Sequence, residues 1–460
     1  MRYKAYKKVD IPWLDEVPSH WEISRNKNIF KHVKNIIGEK SQSTQLLSLT
    51  TMGIKAINNE DTKGKSPVSY DTYQIVSKDD LVLCLFDLDV SAVFSDVSKY
   101  NGMISPAYQV FKTDKVYINF YKYIFDKIFQ DRSYKVHSKS LRYTITPEGF
   151  LMLNMIIPPK EEQEQIAKFL DWKINEIDRL IGIREEKVRK INKIKISFIE
   201  NAISGKIGNK FINFKKVDIP WLDEVPSHWK ITRLKNIIQV SFSGLWGEEF
   251  AEELLPISCI RVADFKFEDM QLNKNIETIR YYTKEQIKEK KLINGDLLLE
   301  KSGGGEKTPV GRLVYNDFDN CMCANFIQVI RLKNSFESKY IAYLLKNYYH
   351  KGNVNLFIKQ TTGIQNLDIK EYLNQLIIFP PKEKQEQIVK KIEEQNYKIN
   401  RLVKNIKFQI NNLKLLKQSL ISDAVTGKID VRNIKIPNFS KFENRYLEED
   451  EDYLEDTKEV

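Results

Sequence analysis

No apolar run in the 460-residue sequence approaches the ~20 residues that a membrane span requires, so no membrane partner is expected. The opening stretch, MRYKAYKKVDIPW, lacks the apolar core of a secretory signal, and the expected compartment is the cytoplasm. Cysteine is scarce. Cys84, Cys259, Cys321 and Cys323 form no C-x-x-C pair and are too few for a disulfide framework. The five histidines are scattered, and His20 and His228 are two copies of one repeated position, which argues against a zinc site. Catalytic signatures are missing as well. GKS at Gly64–Ser66 has Asn59 where a phosphate-binding loop needs its first glycine, and no strand leads into it. There is no G-x-S-x-G elbow, no H-E-x-x-H, and no glycine-rich loop after a strand such as a methyl-donor site wants. EEK at Glu185–Lys187 falls on a helix face where solvated charge explains it. No catalytic, cofactor-binding or metal-ligating residue is therefore expected on this chain.

What is present is positive charge, unevenly spread. The net charge is +11, yet Glu448–Val460 holds eight acids and one lysine, a net of −7, so residues 1–447 carry +11 − (−7) = +18. A basic body suits a nucleic-acid partner through phosphate neutralisation and counterion release, although charge alone also fits a lysine-rich protein without one. The acidic end reads as a solvated, disordered tail.

The sequence also repeats itself. KKVDIPWLDEVPSHW runs from Lys7 to Trp21 and returns unchanged from Lys215 to Trp229, 208 positions on. PPKEEQEQI at Pro158–Ile166 returns as PPKEKQEQI at Pro380–Ile388, and SFIENAISGKI at Ser197–Ile207 as SLISDAVTGKI at Ser419–Ile429, both 222 positions on. Each half thus reads opener, variable segment, long segment, and the second variable segment is longer by 222 − 208 = 14 residues. The long segments have apolar residues at spacings of three and four, from Ile166 to Ala202 and from Ile388 to Ala424, and each is followed by a glycine, Gly205 or Gly427. Each predicts a helix of ~60–70 Å with one apolar stripe, which needs a partner along its length. The natural partner is the other copy, packed antiparallel about a pseudo-two-fold axis; two separate core helices are the plainer alternative.

The variable segments read as mixed α and β. LVLCLF (Leu81–Phe86), SAVFSDV (Ser91–Val97), LLLEKS (Leu297–Ser302), GRLVYN (Gly311–Asn316) and FIQVIRL (Phe326–Leu332) predict strands. INFYKYIFDKIF (Ile118–Phe129) and KYIAYLLKNYYH (Lys339–His350) predict helices. The predicted class is α+β, with boundaries at 1–157, 158–206 (first long helix), 207–379, 380–430 (second long helix) and 431–460 (acidic tail). Three loops carry side chains that bond phosphates and base edges. HSKSLRYT offers Lys139, Ser140, Arg142 and Tyr143; SGGGEKTPVGR offers Lys307, Thr308 and Arg312; KQTTGIQN offers Lys359, Thr361, Thr362, Gln365 and Asn366. The first and third of these stand 222 positions apart, in equivalent places. The plain alternative is ordinary loop polarity. Trp13, Trp21, Trp221 and Trp229 in the openers are either packing anchors or contacts for a partner protein.

The duplicated IPWLDEVPSHW, the duplicated PPKE-QEQI leading into a long helix, SGGGEKTPVGR, and GMISPAYQVF at Gly102–Phe111 together resemble the specificity subunit of bacterial and archaeal type I restriction-modification systems. The resemblance extends to about residue 432, and the acidic tail is outside it. It implies two target-recognition domains, each reading one half of a bipartite, asymmetric double-stranded DNA site, with the long helices as an antiparallel coiled coil that sets the spacing. It further implies a non-catalytic chain that docks two modification (methyltransferase) subunits, and two restriction subunits where the system cleaves. S-adenosylmethionine, ATP and Mg would then reside on those partners. A stand-alone tandem nucleic-acid binder, or a coiled-coil scaffold that never touches DNA, are the competing readings.

Overall fold

In a computed structural model the chain is described at residues 2–50, 53–57, 69–90, 95–138, 143–207, 213–250, 252–305, 308–361 and 364–442. Two compact units emerge. One comprises the chain up to Glu186 together with the stretch from Ile406 onward; the other is Lys187–Asn405. Helices α1 (Ile118–Gln130), α2 (Lys160–Ile203), α3 (Ser338–His350) and α4 (Lys382–Val425) include both long segments, each 44 residues in length. Among the described residues no helix is long and apolar enough to cross a membrane.

The two units repeat one topology under dissimilar sequences. In the first, a four-stranded antiparallel sheet has the order Lys31–Val33, Gln109–Lys112, Leu81–Leu83, Ser95–Val97. In the second, Ile238–Ser243, Ile327–Leu332, Leu297–Glu300 and Leu313–Tyr315 occupy the same order. Among the described residues each unit adds one parallel strand pair, Leu46–Thr50 with Gly102–Ile104 and Leu255–Ile260 with Met322–Cys323. In each, the strand before Pro-Pro returns to pair with the strand just after the opener: Ile156 lies opposite Ile23, and Ile378 opposite Ile231.

The predicted strands are apolar at consecutive positions because both sheet faces are covered. Leu81, Leu83 and Phe111 face the main core under α1, while Val82 and Val110 face a smaller core with Leu47, Leu49 and Val76. In the second unit Leu297, Leu299 and Ile330 share a core with α3, and Leu298, Val314 and Val329 face Ile260 and Cys323.

The repeated residues make repeated bonds. Gln163 donates to the Pro158 carbonyl (2.7 Å) and accepts from the Tyr117 amide ahead of α1 (2.8 Å). Gln385 does the same with Pro380 (2.8 Å) and the Glu337 amide ahead of α3 (2.9 Å). Lys7 donates to the Trp21 carbonyl, and Lys215 to that of Trp229. Within the first unit, Asp178 of α2 pairs with Lys417 of α4 at 2.8 Å and Arg184 donates to Gln409 at 3.1 Å, so these stretches run antiparallel. In the second unit Lys195 of α2 meets Asn400 of α4 at 3.0 Å.

One expectation is corrected. The stretch from Val431 to Phe442, placed above in the acidic tail that begins at residue 431, is packed against α2. Val431 is fully buried, Gln165 donates to the carbonyls of Val431 and Ile434 (3.0 and 2.8 Å), and Asn175 bonds the backbone of Ser440 and Phe442. Val431, Ile434 and Ile436 join the core there and outweigh the polar residues between them.

Candidate nucleic-acid interface

Two of the three candidate loops, some fifty residues apart in sequence, come together in one small sheet. Strands β1 (Ser302–Gly303), β2 (Ile358–Thr361) and β3 (Ile364–Leu367) are antiparallel with β3 in the centre. Ser302 and Lys359 both lie opposite Asn366, and Gly303 lies opposite Gln365. The loop after β1 needs its glycines. A Cβ on Gly304, at φ +27°, would lie 2.6 Å from the Val310 nitrogen; one on Gly311, at φ +105°, would lie 2.3 Å from Val354 Cγ2.

The candidate side chains divide by what they touch. Gln365 is buried, and its Oε1 accepts from the Val310 amide (3.2 Å), tying the glycine loop to β3. Arg312 makes a two-pronged ion pair with buried Glu300, Nε to Oε2 at 2.8 Å and Nη2 to Oε1 at 2.9 Å. Both residues shape the loop from behind. Thr308, Lys359 and Asn366 are exposed. The Lys359 ammonium meets Asp368 at 2.6 Å, which raises the lysine pKa and lowers that of the carboxylate. Ser302 Oγ donates to Asn366 Oδ1 at 2.6 Å, leaving the Asn366 amide N–H₂ available. Lys307, Thr362 and the Thr361 side chain lie outside the described residues.

The equivalent place in the first unit has the same frame. Ile145 donates its N–H to the Leu85 carbonyl (2.8 Å), as Leu367 does to that of Lys301 (2.8 Å). Tyr143 sits at φ +44° with the Lys135 ammonium 4.1 Å over its ring, and burial holds the His137 pKa below its ordinary value. Lys139, Ser140 and Arg142 lie outside the described residues.

The four opener tryptophans are core. Trp13, Trp21, Trp221 and Trp229 are 8, 0, 8 and 1% exposed, and Trp21 Nε1 donates to Glu162 at 3.0 Å. Of the two readings of these residues, the packing anchor holds; rings so buried cannot present a face to a partner. Some of the exposed apolar residues lie on the long helices. In the first unit they are Leu180, Ile183, Phe408, Leu415 and Leu416; in the second, Ile194, Ile196, Tyr397 and Leu402. A cluster that sequence spacing could not reveal sits at the root of the glycine loop, where Lys290 and Lys301 converge on Ser243. Among the described residues no group of three or more His, Cys, Asp and Glu is placed to hold a metal ion.

Residues 226–412 match the family described as the type I restriction modification DNA specificity domain. The EcoKI specificity subunit of Escherichia coli K12 is 22% identical over 293 residues, spanning 62% of this chain and 60% of that protein. The MjaVIII specificity subunit of Methanocaldococcus jannaschii is 22% identical over 442 residues, spanning 91% of this chain and 95% of the relative. A chain solved in work on complex assembly and conformational transition of the type I R-M system superposes with a TM-score of 0.59 at 15% identity, covering 90% of this chain and 99% of its own. That last likeness is one of fold.

Proposed function

We propose, on the premise that the chain belongs to the family of type I restriction-modification specificity subunits, that it reads a bipartite double-stranded DNA site, each unit taking one half. The observation that carries this is the repetition of one topology around unlike loops: the same frame at Ile145–Leu85 and Leu367–Lys301 supports different side chains. Equal frames present two readers in equivalent poses, and unlike loops recognise unlike bases. The long helices then act as an antiparallel coiled coil about a pseudo-two-fold axis and set the gap between half-sites. The pairings of Asp178 with Lys417 and Lys195 with Asn400 support that arrangement.

In this reading the chain itself does no chemistry. Two modification subunits methylate adenine with S-adenosylmethionine, and restriction subunits, where present, cleave with ATP and Mg. The exposed apolar residues of α2 and α4, Phe408 and Tyr397 foremost, are the proposed docking surface for the modification subunits in place of the tryptophans. Thr308, Lys359 and Asn366 are the proposed DNA contacts of the second unit. Lys139, Ser140, Arg142 and Tyr143 are those of the first.

The test is genome-wide adenine methylation by long-read sequencing in a host carrying the chain and its methyltransferase, with and without the chain. A split motif, two short blocks around a fixed gap, should appear only with the chain. Exchanging residues 22–157 for those of a relative should change one block only. An unchanged pattern from a soluble, expressed complex would refute the role in methylation and leave the stand-alone binder.

A further inference from the structure

Strand Ile238–Ser243 ends at Ser243, and the chain then turns sharply against Met322–Phe326. Gly244 allows the approach: a Cβ there would lie 2.2 Å from the Ala324 carbonyl oxygen and 2.5 Å from that of Cys323. The Gly244 amide donates to Ile327 and that of Leu245 to Cys323, at 2.9 and 2.8 Å, so Ser243 is held rigidly at the corner.

Two lysines, 47 and 58 positions beyond Ser243 in sequence, meet on this one residue. Lys301 Nζ donates to Ser243 Oγ at 2.7 Å, and Lys290 Nζ donates to the Ser243 carbonyl at 3.1 Å. Both acceptors are neutral, and among the described residues neither lysine has a carboxylate partner. An ammonium has three N–H donors, so each retains donors beyond these contacts. Burial, and next the charge of Lys290, push the Lys301 pKa below its ordinary value. Like charges brought this close are unfavourable until an anion joins them.

The position indicates which anion. The Lys301 amide donates to Phe326 (2.9 Å) and its carbonyl accepts from Leu367 (2.8 Å), so this residue joins the corner directly to β1 and β3. Exposed Thr308, Lys359 and Asn366 stand on that same small sheet or the loop it anchors. An anion seated here would be fixed relative to any base edges those groups reach. In the first unit the equivalent residue is Leu85, so the feature belongs to one half only.

We propose that Lys290 and Lys301, gathered on Ser243, form a phosphate clamp that seats the DNA backbone beside β1 and β3 and registers the second half-site. This rests on the DNA-reading function above and assigns residues to it. Phosphate contacts position a protein without reading sequence. The clamp therefore sets affinity, and the loops set the motif.

The experiment uses the full chain in complex with its modification subunits. Binding to a duplex carrying the methylated motif and to a scrambled duplex is measured from about 0.05 to about 0.3 M salt. Lys290→Gln and Lys301→Gln should each lower the slope of log affinity against log salt by about 0.9, which is about fivefold in affinity near 0.15 M. The loss should be equal on both duplexes, Lys301→Arg should retain the slope, and the methylated motif should not change. Lys290→Gln, at the end of a short helix, carries the test alone if Lys301→Gln does not fold. Wild-type slopes in variants that still bind, or a loss confined to the cognate duplex, overturn the clamp while leaving DNA reading intact. A wild-type complex with no salt-dependent binding overturns both.

Discussion

Glu162 is the one residue at which PPKEEQEQI and PPKEKQEQI differ, its counterpart being Lys384. In the first unit its buried carboxylate accepts from the Tyr3 hydroxyl (3.1 Å) and Trp21 Nε1 (3.0 Å), meets His20 Nε2 at 2.7 Å, and has Arg432 at 3.8 Å. Burial and the neighbouring carboxylate raise the Tyr3 pKa, which keeps its hydroxyl a donor. Glu162→Ala would strip the acceptor from two buried donors at about 1–3 kcal/mol each. Arg432 keeps its two-pronged pair with Asp430 (2.9 and 2.7 Å), so its share is small, about 0–1 kcal/mol. The expected loss is about 2–7 kcal/mol. Glu162→Lys should cost no less, because it adds a like charge beside Arg432.

Lys384 is only half-buried, and Lys384→Glu should shift stability by less than about 1 kcal/mol. The assay is urea unfolding followed by tryptophan fluorescence, which Trp13 and Trp21 report from within the affected core. A Glu162→Ala midpoint equivalent to wild type within about 0.5 kcal/mol, or equal effects of Glu162→Lys and Lys384→Glu, would refute the reasoning.

Gly205 and Gly427 sit at φ +78° and +75°, with a new Cβ placed 2.6 Å from Pro226 Cγ and 2.5 Å from Pro18 Cδ. Alanine at either should destabilise by about 2–4 kcal/mol, read from urea midpoints. Arg312→Lys cannot reproduce the two-pronged bond to Glu300, so it should blur one block of the methylated motif and leave the other sharp in long-read sequencing. Burial, set against Lys122 and Lys417 and aided by Asp96, pushes the Asp126 pKa up to about 6. A carboxyl raised in the folded state binds its proton there first, so stability should fall as pH rises from about 4 to about 6; Asp126→Asn should flatten that part of a urea-midpoint profile. Truncation after Thr426 should remove Val431 from the first core and open that unit to protease, while sites in Lys187–Asn405 stay protected.

Elements were legible where one period ran long enough. Spacings of three and four marked α2 and α4, and runs such as LLLE marked strands covered on both faces. Composition did not show that the variable segments share a topology, because strand order is set by pairing between distant segments. Nor did it show the packing of Val431–Phe442, where Val431, Ile434 and Ile436 are apolar islands among charges. Of the candidate loop residues, Asn366 and Thr308 are exposed, but Gln365 and Arg312, chosen for the same chemistry, turn inward. Polarity names a bonding group without saying which way it points. Lys290, Lys301 and Ser243 are not legible as a group, because Ser243 stands 47 and 58 positions from the two lysines and Lys301 lies inside what reads as a strand.

The closing contacts explain why the openers repeat letter for letter while the segments after them do not. Gly205, just past the end of α2, lies against Pro226 and Trp229 of the opener that follows it. Gly427, just past the end of α4, lies against Pro18 and Trp21 of the opener at the other end of the chain, and the Gly427 carbonyl accepts from Tyr6 at 2.9 Å. Each folded unit therefore joins an opener, a variable segment and a helix start from one repeat to a helix end from the other. A contact made once between near neighbours in sequence and once across four hundred residues has the same Pro–Trp surface and the same positive-φ glycine. Its geometry admits no Cβ at either glycine, so both copies are held to one sequence solution. Among the described residues the strands of the variable segments pair and pack with strands of their own unit, away from this repeated Pro–Trp–Gly contact. Identity is confined to the seams and difference to the surfaces beyond them, the division that a reader of two unlike half-sites requires.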